Sequence, residues 1–284
     1  MPDLHIDTEL VPCELCGGTA FRPLTINDAL RVVRCCVCAL VFVNPRPSTA
    51  ALRQYYGAKD LMQHDAWSAY FQHSSDQLRD LWQERLRDLH RWKPGSGLRL
   101  LDVGSGYGDF LYHASSSGWD VLGFEFAPAV AEVCKQKYGI PVQVGQLSEI
   151  GLQAASFDAI TMWHVLEHLP QPVSVLQRTL QLLAPGGLLA LEVPNLNFLV
   201  RKSYRYPLSA TLHLYHFTPA TLTSMVRKVG FKVLECRQGN TGFLYRSPVK
   251  IYAKKAVYLF SHVLERLAGI NAGDSIRLYA QKVP

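Results

Sequence analysis

Leu100-Leu-Asp-Val-Gly-Ser-Gly-Tyr-Gly-Asp-Phe110 is the stretch on which the reading of this chain turns. Leu98 to Val103 is a short apolar run of strand type. Three glycines then alternate at Gly104, Gly106 and Gly108, and an apolar helical pattern begins at Phe110. A strand that opens through glycines into a helix lets backbone approach a ligand, because no side chain stands in the way. A dinucleotide fingerprint would place its third glycine where this chain has Asp109. An acidic residue, Glu125, follows the next strand.

Outward from this loop, short apolar strands and helices alternate, which is the signature of a parallel α/β sheet. Strands are expected at 98–103, 119–124, 141–144, 157–162, 188–193, 231–236 and 275–282, giving one seven-stranded, doubly wound, Rossmann-like sheet. Pro128 and Pro172 start helices, Thr218-Pro219 caps another, and Ala184-Pro-Gly-Gly187 separates a helix from the fifth strand. Upstream, Ser48 is placed to cap a short helix through Tyr56. Leu78, Leu81, Trp82, Arg85 and Leu89 mark an amphipathic helix from about Trp67 to Trp92. Three segments follow: residues 1–47, a helical connector over 48–97, and a domain over 98–284 with a helical insertion at about 245–270.

Residues 1–47 carry Cys13-x-x-Cys16 and Cys35-x-x-Cys38. Two such turns supply the four soft ligands of a closed tetrahedral zinc site, and this spacing argues for a zinc ribbon rather than disulfides. The segment is too small to bury a core, so its stability is expected to depend on the metal. Cys36, Cys134 and Cys236 have no partner pattern and read as buried thiols. The first residues lack a basic start and an apolar run, and the expectation is a soluble, cytoplasmic protein.

Charge divides the chain. Residues 1–195 hold 15 Lys+Arg against 20 Asp+Glu, whereas residues 196–284 hold 14 against 3, so the net +6 belongs to the C-terminal part. An acidic-to-neutral ribbon makes a poor phosphate-binding patch, which disfavours a nucleic-acid partner. The basic residues Arg246, Lys250, Lys254, Lys255 and Arg266, with Arg201, Lys202 and Arg205, could cover an anionic substrate, contact a membrane surface, or form an ordinary packed helix.

Asp102-Val-Gly104-Ser-Gly106-Tyr-Gly108, Glu125, Phe157-Asp158 and Ala184-Pro-Gly-Gly187 together resemble a class I S-adenosylmethionine-dependent methyltransferase over residues 98 to 237. His164-Val-Leu-Glu-His168, Tyr215-His216-Phe217-Thr218 and the four cysteines are similar to one bacterial branch of that family. The resemblance implies that the three glycines and Trp163 border the cofactor, that Glu125 accepts the ribose hydroxyls, and that Asp102 holds the methionine ammonium directly or through water. Gln146 stands where the family often has an acid near the adenine. The implied reaction is in-line methyl transfer to a small-molecule acceptor, and an acceptor hydroxyl or carbon needs a base. His164, His168, His213 and His216 are candidates, with His164 and His216 preferred. An RNA methyltransferase, a non-catalytic zinc-dependent binding protein and a nicotinamide-dependent dehydrogenase are the alternatives.

Overall fold

The computed structural model of the chain describes residues 7–25, 30–58, 75–147, 149–197, 213–239 and 273–283. The basic segment around 245–270 and Arg201, Lys202 and Arg205 lie outside the described residues. The N-terminal part contains β1 (Thr8–Glu9), β2 (Phe21–Pro23), β3 (Val32–Cys35), β4 (Val41–Val43), β5 (Arg46–Pro47) and α1 (Thr49–Tyr56). Ser48 caps α1, its side chain accepting from the Ala51 N–H at 3.1 Å, as the sequence predicts. Helix α2 (Ser75–Trp92) leads to β6 (Arg99–Val103), α3 (Asp109–Ser116), β7 (Asp120–Glu125), α4 (Pro128–Tyr138) and β8 (Val142–Val144). Then come β9 (Phe157–Trp163), a 3-10 turn (Leu166–His168), α5 (Pro172–Leu182) and β10 (Leu183–Pro194). The chain closes with β11 (Tyr215–His216), α6 (Pro219–Val229), β12 (Phe231–Gly239) and β13 (Ser275–Lys282).

Seven strands form one sheet in the order β12-β13-β10-β9-β6-β7-β8. The five strands from β10 to β8 are parallel, and their near-continuous apolar content follows from burial on both faces. The expectation of a parallel sheet fails at one edge. Strand β13 lies antiparallel between β10 and β12. A strand's apolar content is the same for either direction of pairing, so the pattern of Ser275–Lys282 could not show this. Helix capping follows the sequence: Thr218 and Thr221 form a reciprocal capping box on α6, and Gly230 ends that helix in the left-handed region.

The ribbon shares the core of the sheet domain. Its strands assemble in the order β11-β4-β3-β2, so β11, from far along the chain, completes the ribbon sheet. Tyr215 pairs with Phe42 and His216 with Val41. Phe42 stacks on Tyr215 with ring centres 6.1 Å apart, and Phe21 meets Phe42 edge-on at 5.3 Å. Leu15, Leu40 and Phe42 belong to the same buried cluster as Phe217, Leu222 and Met225. Each such side chain contributes about 1.5–3 kcal/mol of burial. This corrects the expectation that the segment is too small to bury a core: it shares that of the sheet domain. Helix α2 buries Leu78, Leu81, Trp82, Leu86 and Leu89 against Phe110, Trp119 and Tyr279 on the other side of the sheet. Among the described residues no helix is long and apolar enough to cross a membrane.

Candidate active site

The strand order reverses between β6 and β9: the chain runs outward through β7 and β8, then returns to β9 and β10 on the other side. In an open α/β sheet the crevice at the carboxyl ends of the strands at such a point is where ligands bind. The glycine loop leaves β6 there. All three glycines have positive φ, at 73° for Gly104, 55° for Gly106 and 80° for Gly108, but for different physical reasons. A Cβ on Gly104 would lie 2.4 Å from Val165 Cγ2, and one on Gly108 would lie 2.2 Å from Cys134 Sγ. These two glycines permit close packing within the protein. A Cβ on Gly106 would meet no protein atom within 4 Å, so the backbone there is open to a ligand.

Glu125, at the end of β7, is buried and joined to this loop. Its Oε2 accepts from the Gly106 N–H at 2.9 Å, and its Oε1 accepts from Phe126 N–H at 2.8 Å and Ala127 N–H at 3.0 Å. Burial raises its pKa, and the three backbone donors oppose that rise. A carboxylate offers about four lone-pair positions, so one remains on Oε2 for a hydroxyl. Asp102 is buried in β6 and accepts from Thr161 Oγ1 at 2.5 Å. Burial pushes its carboxyl up to about 7, against the influence of Thr161 and Arg85. A buried carboxylate in that state is suited to a cationic partner. Gln146 lies in the bend after β8, where its carbonyl accepts from Glu149 N–H at 2.9 Å. Trp163 packs edge-on against Phe110 at 5.2 Å, with the Arg85 guanidinium 4.7 Å from its ring centre. These contacts put Trp163 within the core cluster of α2.

Tyr55 and Tyr56 at the end of α1 pack with Tyr107 against Ala127 and Val130. Tyr56 meets Phe126 edge-on at 5.5 Å. Burial, then Tyr55, Glu125 and Glu167, raise the Tyr56 phenol. One hydroxyl thus senses the carboxylate on each side of the crevice. The proximity of Tyr56 to Glu125 has no signal in the sequence.

The second half of the site is a histidine group around Glu167. His164 follows β9 with φ 59°, a conformation that costs a non-glycine residue about 1–2 kcal/mol. Its amide donates to Glu192 O at 2.8 Å. Its Nδ1 lies 3.3 Å from Glu167 Oε1 and its Nε2 3.9 Å from Glu192 Oε1. His168 Nε2 is 3.8 Å from Glu167 Oε1. His168 and His213 meet edge-on at 4.7 Å, and His213 and His216 have ring centres 6.3 Å apart. Burial would raise Glu167, but His164, His168 and His213 bring it down to about 2. His164, His168 and His213 are therefore brought together about one buried carboxylate, and His216 adjoins the group through the His213 ring. Ligand atoms of Glu167, His168 and His213 lie within 4.8 Å of one another, close enough to share a metal ion, a grouping the sequence spacing did not reveal.

Glu192 in β10 is the residue sequence reasoning missed. It is fully buried and takes Arg85 Nε and Arg277 Nε on Oε2, each at 2.8 Å, and Ser275 Oγ on Oε1 at 2.7 Å. Burial would raise it, but Arg85 and Arg277 hold it well below the usual carboxylate range. Arg85 also lies over the Trp82 ring at 4.4 Å. Its place in the apolar stripe of α2, beside Trp82 and Leu89, was the only signal.

At the ribbon, Cys13 and Cys38 have Sγ atoms 3.5 Å apart, as do Cys16 and Cys35. All four sulfurs lie within 4.8 Å of one another. A disulfide needs an S–S distance of about 2.05 Å, whereas tetrahedral zinc–sulfur bonds of about 2.3 Å demand the wider spacing seen here. Burial alone would raise Cys35, but backbone N–H groups of Cys38 and Val37 bring it down to about 7. Gly17 and Ala39 carry the positive φ of the two knuckles. Cys134 is buried as expected, but Cys36 is exposed and Cys236 only half-buried, because they lie on a knuckle and on the outer part of β12.

A family model described as a methyltransferase domain matches residues 71–236. A ubiquinone biosynthesis O-methyltransferase from Nitrosococcus oceani is 31% identical over 193 residues, covering 62% of this chain and 79% of that protein. The namesake from Cereibacter sphaeroides is 34% identical over 116 residues, and there the match spans 39% of this chain and about half of the relative, 47% of its length. Among solved structures, the fold is similar to a Haemonchus contortus phosphoethanolamine N-methyltransferase 2 in complex with S-adenosyl-L-methionine, with TM-score 0.59, 17% identity and coverage of 86% and 63%. An Archaeoglobus fulgidus methyltransferase gives TM-score 0.55 at 21% identity, covering 76% of this chain and 98% of that one. The match to the family model extends over more than half the sequence, and the glycine loop, Asp102 and Glu125 stand where the sheet reverses: this chain belongs to the class I S-adenosylmethionine-dependent methyltransferase family.

Proposed function

We propose that this protein transfers the methyl group of S-adenosylmethionine to a hydroxyl of a small-molecule acceptor, with a zinc ion held by Cys13, Cys16, Cys35 and Cys38. The observation that carries the reading is the open backbone at Gly106, bonded to a buried carboxylate, Glu125, at the switch point of the sheet. Bound cofactor would supply a methyl carbon activated by the neighbouring sulfonium. The chain's own residues align and shield it. Glu125 receives a ribose hydroxyl, Asp102 faces the ammonium, and Gln146 stands near the adenine side. The Tyr55–Tyr56 end of α1 covers the crevice and excludes water.

Across the crevice, the histidine group takes the proton of the acceptor. Glu167 is anionic at neutral pH and buried beside His164, so it orients the ring and stabilises the imidazolium formed there. His164 and His216 remain the proposed bases. The names of the relatives favour an oxygen acceptor. A net positive charge concentrated beyond residue 195 supports an anionic or lipid-linked one. Calorimetry tests the reading: S-adenosylhomocysteine should bind the wild type, and Glu125→Ala should abolish the heat. A wild type that binds none overturns it.

A further inference from the structure

Arg46 closes the ribbon, yet it is among the most buried charged residues of the chain, at 4% exposure. Its position is fixed by pairing of β5 with β1, where Glu9 stands opposite Arg46. The guanidinium Nε donates to Glu9 Oε1 at 2.9 Å. Its Nη1 donates to the Pro170 carbonyl and, at 3.1 Å, to the Tyr215 hydroxyl. Tyr215 in turn donates to the same Pro170 carbonyl at 3.2 Å. Three segments distant in sequence therefore meet on one planar group.

Two of those segments carry the histidine group. Pro170 lies two residues beyond His168 and ends the loop that begins at His164. Tyr215 lies between His213 and His216 on β11. The ribbon grips this second segment through its backbone as well: Val43 N–H donates to Leu214 O at 2.9 Å, and β4 pairs with Tyr215 and His216. On its far side the strand is tied to the end of β10, with Leu196 N–H donating to Phe217 O at 2.8 Å. Among the described residues the loop bearing His164 to His168 has no ladder partner in the ribbon. The Pro170 carbonyl ties it to that side by hydrogen bonds, beside the contact of the His168 ring with His213.

We propose that Arg46 is a positioning residue that locks the Glu167–His168 loop against the His213–His216 strand, so that the ribbon sets the geometry of the acceptor half of the site. The inference rests on the reading of that histidine group as the acceptor side. A guanidinium suits the task because its planar fork reaches several acceptors at once in fixed directions. Lysine would deliver the charge to one acceptor and leave the others to each other.

The test compares Arg46→Met, Arg46→Lys and Tyr215→Phe with Lys228→Met as control. Lys228 tethers the ribbon elsewhere, donating to Glu14 O and Leu15 O at 3.0 and 2.9 Å, and touches neither histidine segment. Full-length protein with ring-labelled histidines would be studied by NMR with saturating S-adenosylhomocysteine, and its affinity measured by calorimetry. Arg46→Met should shift the ring signals of His168 and His213, Arg46→Lys should restore them in part, and Tyr215→Phe should shift them in the same sense. Affinity for S-adenosylhomocysteine should stay within about twofold in all four. Lys228→Met should lower thermal stability without moving those signals. Unmoved signals in both Arg46→Met and Tyr215→Phe, or equal shifts in Lys228→Met, would overturn the proposal. A wild type that fails to bind S-adenosylhomocysteine counts against the functional reading instead, and the histidine spectra still judge Arg46.

Discussion

Replacing Asp102 by Asn should stabilise the protein and weaken the cofactor site in the same stroke. Asp102 is buried, and its pKa rises from 3.8 to about 7 on folding, chiefly through desolvation. The sign follows from linkage. A carboxyl whose folded pKa is raised leaves the fold most stable below the unfolded pKa, and that stability is lost as pH climbs through the folded value. Each pKa unit corresponds to 1.36 kcal/mol, so the ionised group costs about 4 kcal/mol at pH 8, and under about 1 kcal/mol near pH 4. Asparagine has the same shape, cannot ionise, and its carbonyl still accepts from Thr161. The melting temperature of ligand-free Asp102→Asn should therefore exceed that of the wild type by about 10 °C at pH 8, with the gap closing toward pH 4. Calorimetry with S-adenosylhomocysteine should show affinity reduced about 10- to 100-fold, because the charge-assisted hydrogen bond proposed for the ammonium is lost. A variant no more stable than the wild type at pH 8, or one that binds as tightly, refutes the reasoning.

The glycine loop should separate stability from binding. Gly108→Ala drives a methyl into Cys134 at 2.2 Å and should cost about 2–4 kcal/mol in denaturant melts; Gly106→Ala meets no atom and should cost only about 1 kcal/mol while sharply reducing S-adenosylhomocysteine binding. Equal stability losses in the two would contradict the packing argument. The ribbon should carry one zinc per chain by elemental analysis, and its removal at pH 7 by thiol titration should lower the melting temperature while leaving the sheet's circular dichroism in place, since the ribbon's apolar residues stay in the shared core. Purified protein without zinc, or complete unfolding on its removal, would contradict this account.

The strand, glycine loop and helix start at the crevice are legible because they are local in the sequence. Residues 98–110 hold a strand, three glycines and a helix start in one run, and Glu125 lies one strand away. The limits of β13 were read at Ser275 and Lys282 from apolar content alone, but its insertion between β10 and β12 was not. The pairing of β13 with β10 joins residues as far apart as Leu188 and Gln281, and such distant partners leave no periodic trace. The same holds for β4 and β11, and for Arg85, whose charge interrupted an apolar stripe without showing that Glu192 waited across the core. The place of Trp163 after the fourth strand is legible in the sequence, whereas its packing between Phe110 and the Arg85 guanidinium is not. The histidines are visible one by one, but Glu167 as the centre of His164, His168 and His213 requires the turn of Leu166–His168.

The position of β13 has a consequence for how the protein is made. Glu192 emerges from the ribosome long after Arg85 but well before Arg277 and Ser275, so its carboxylate is only partly neutralised until those two residues appear. Strand β12 also waits, because its partner in the sheet is β13. A nascent chain cut short of Ser275 therefore exposes the open edge of β10 and leaves β12 without a ladder. Vectorial synthesis can complete the glycine-loop side of the sheet early, while closure of the opposite edge waits for β13.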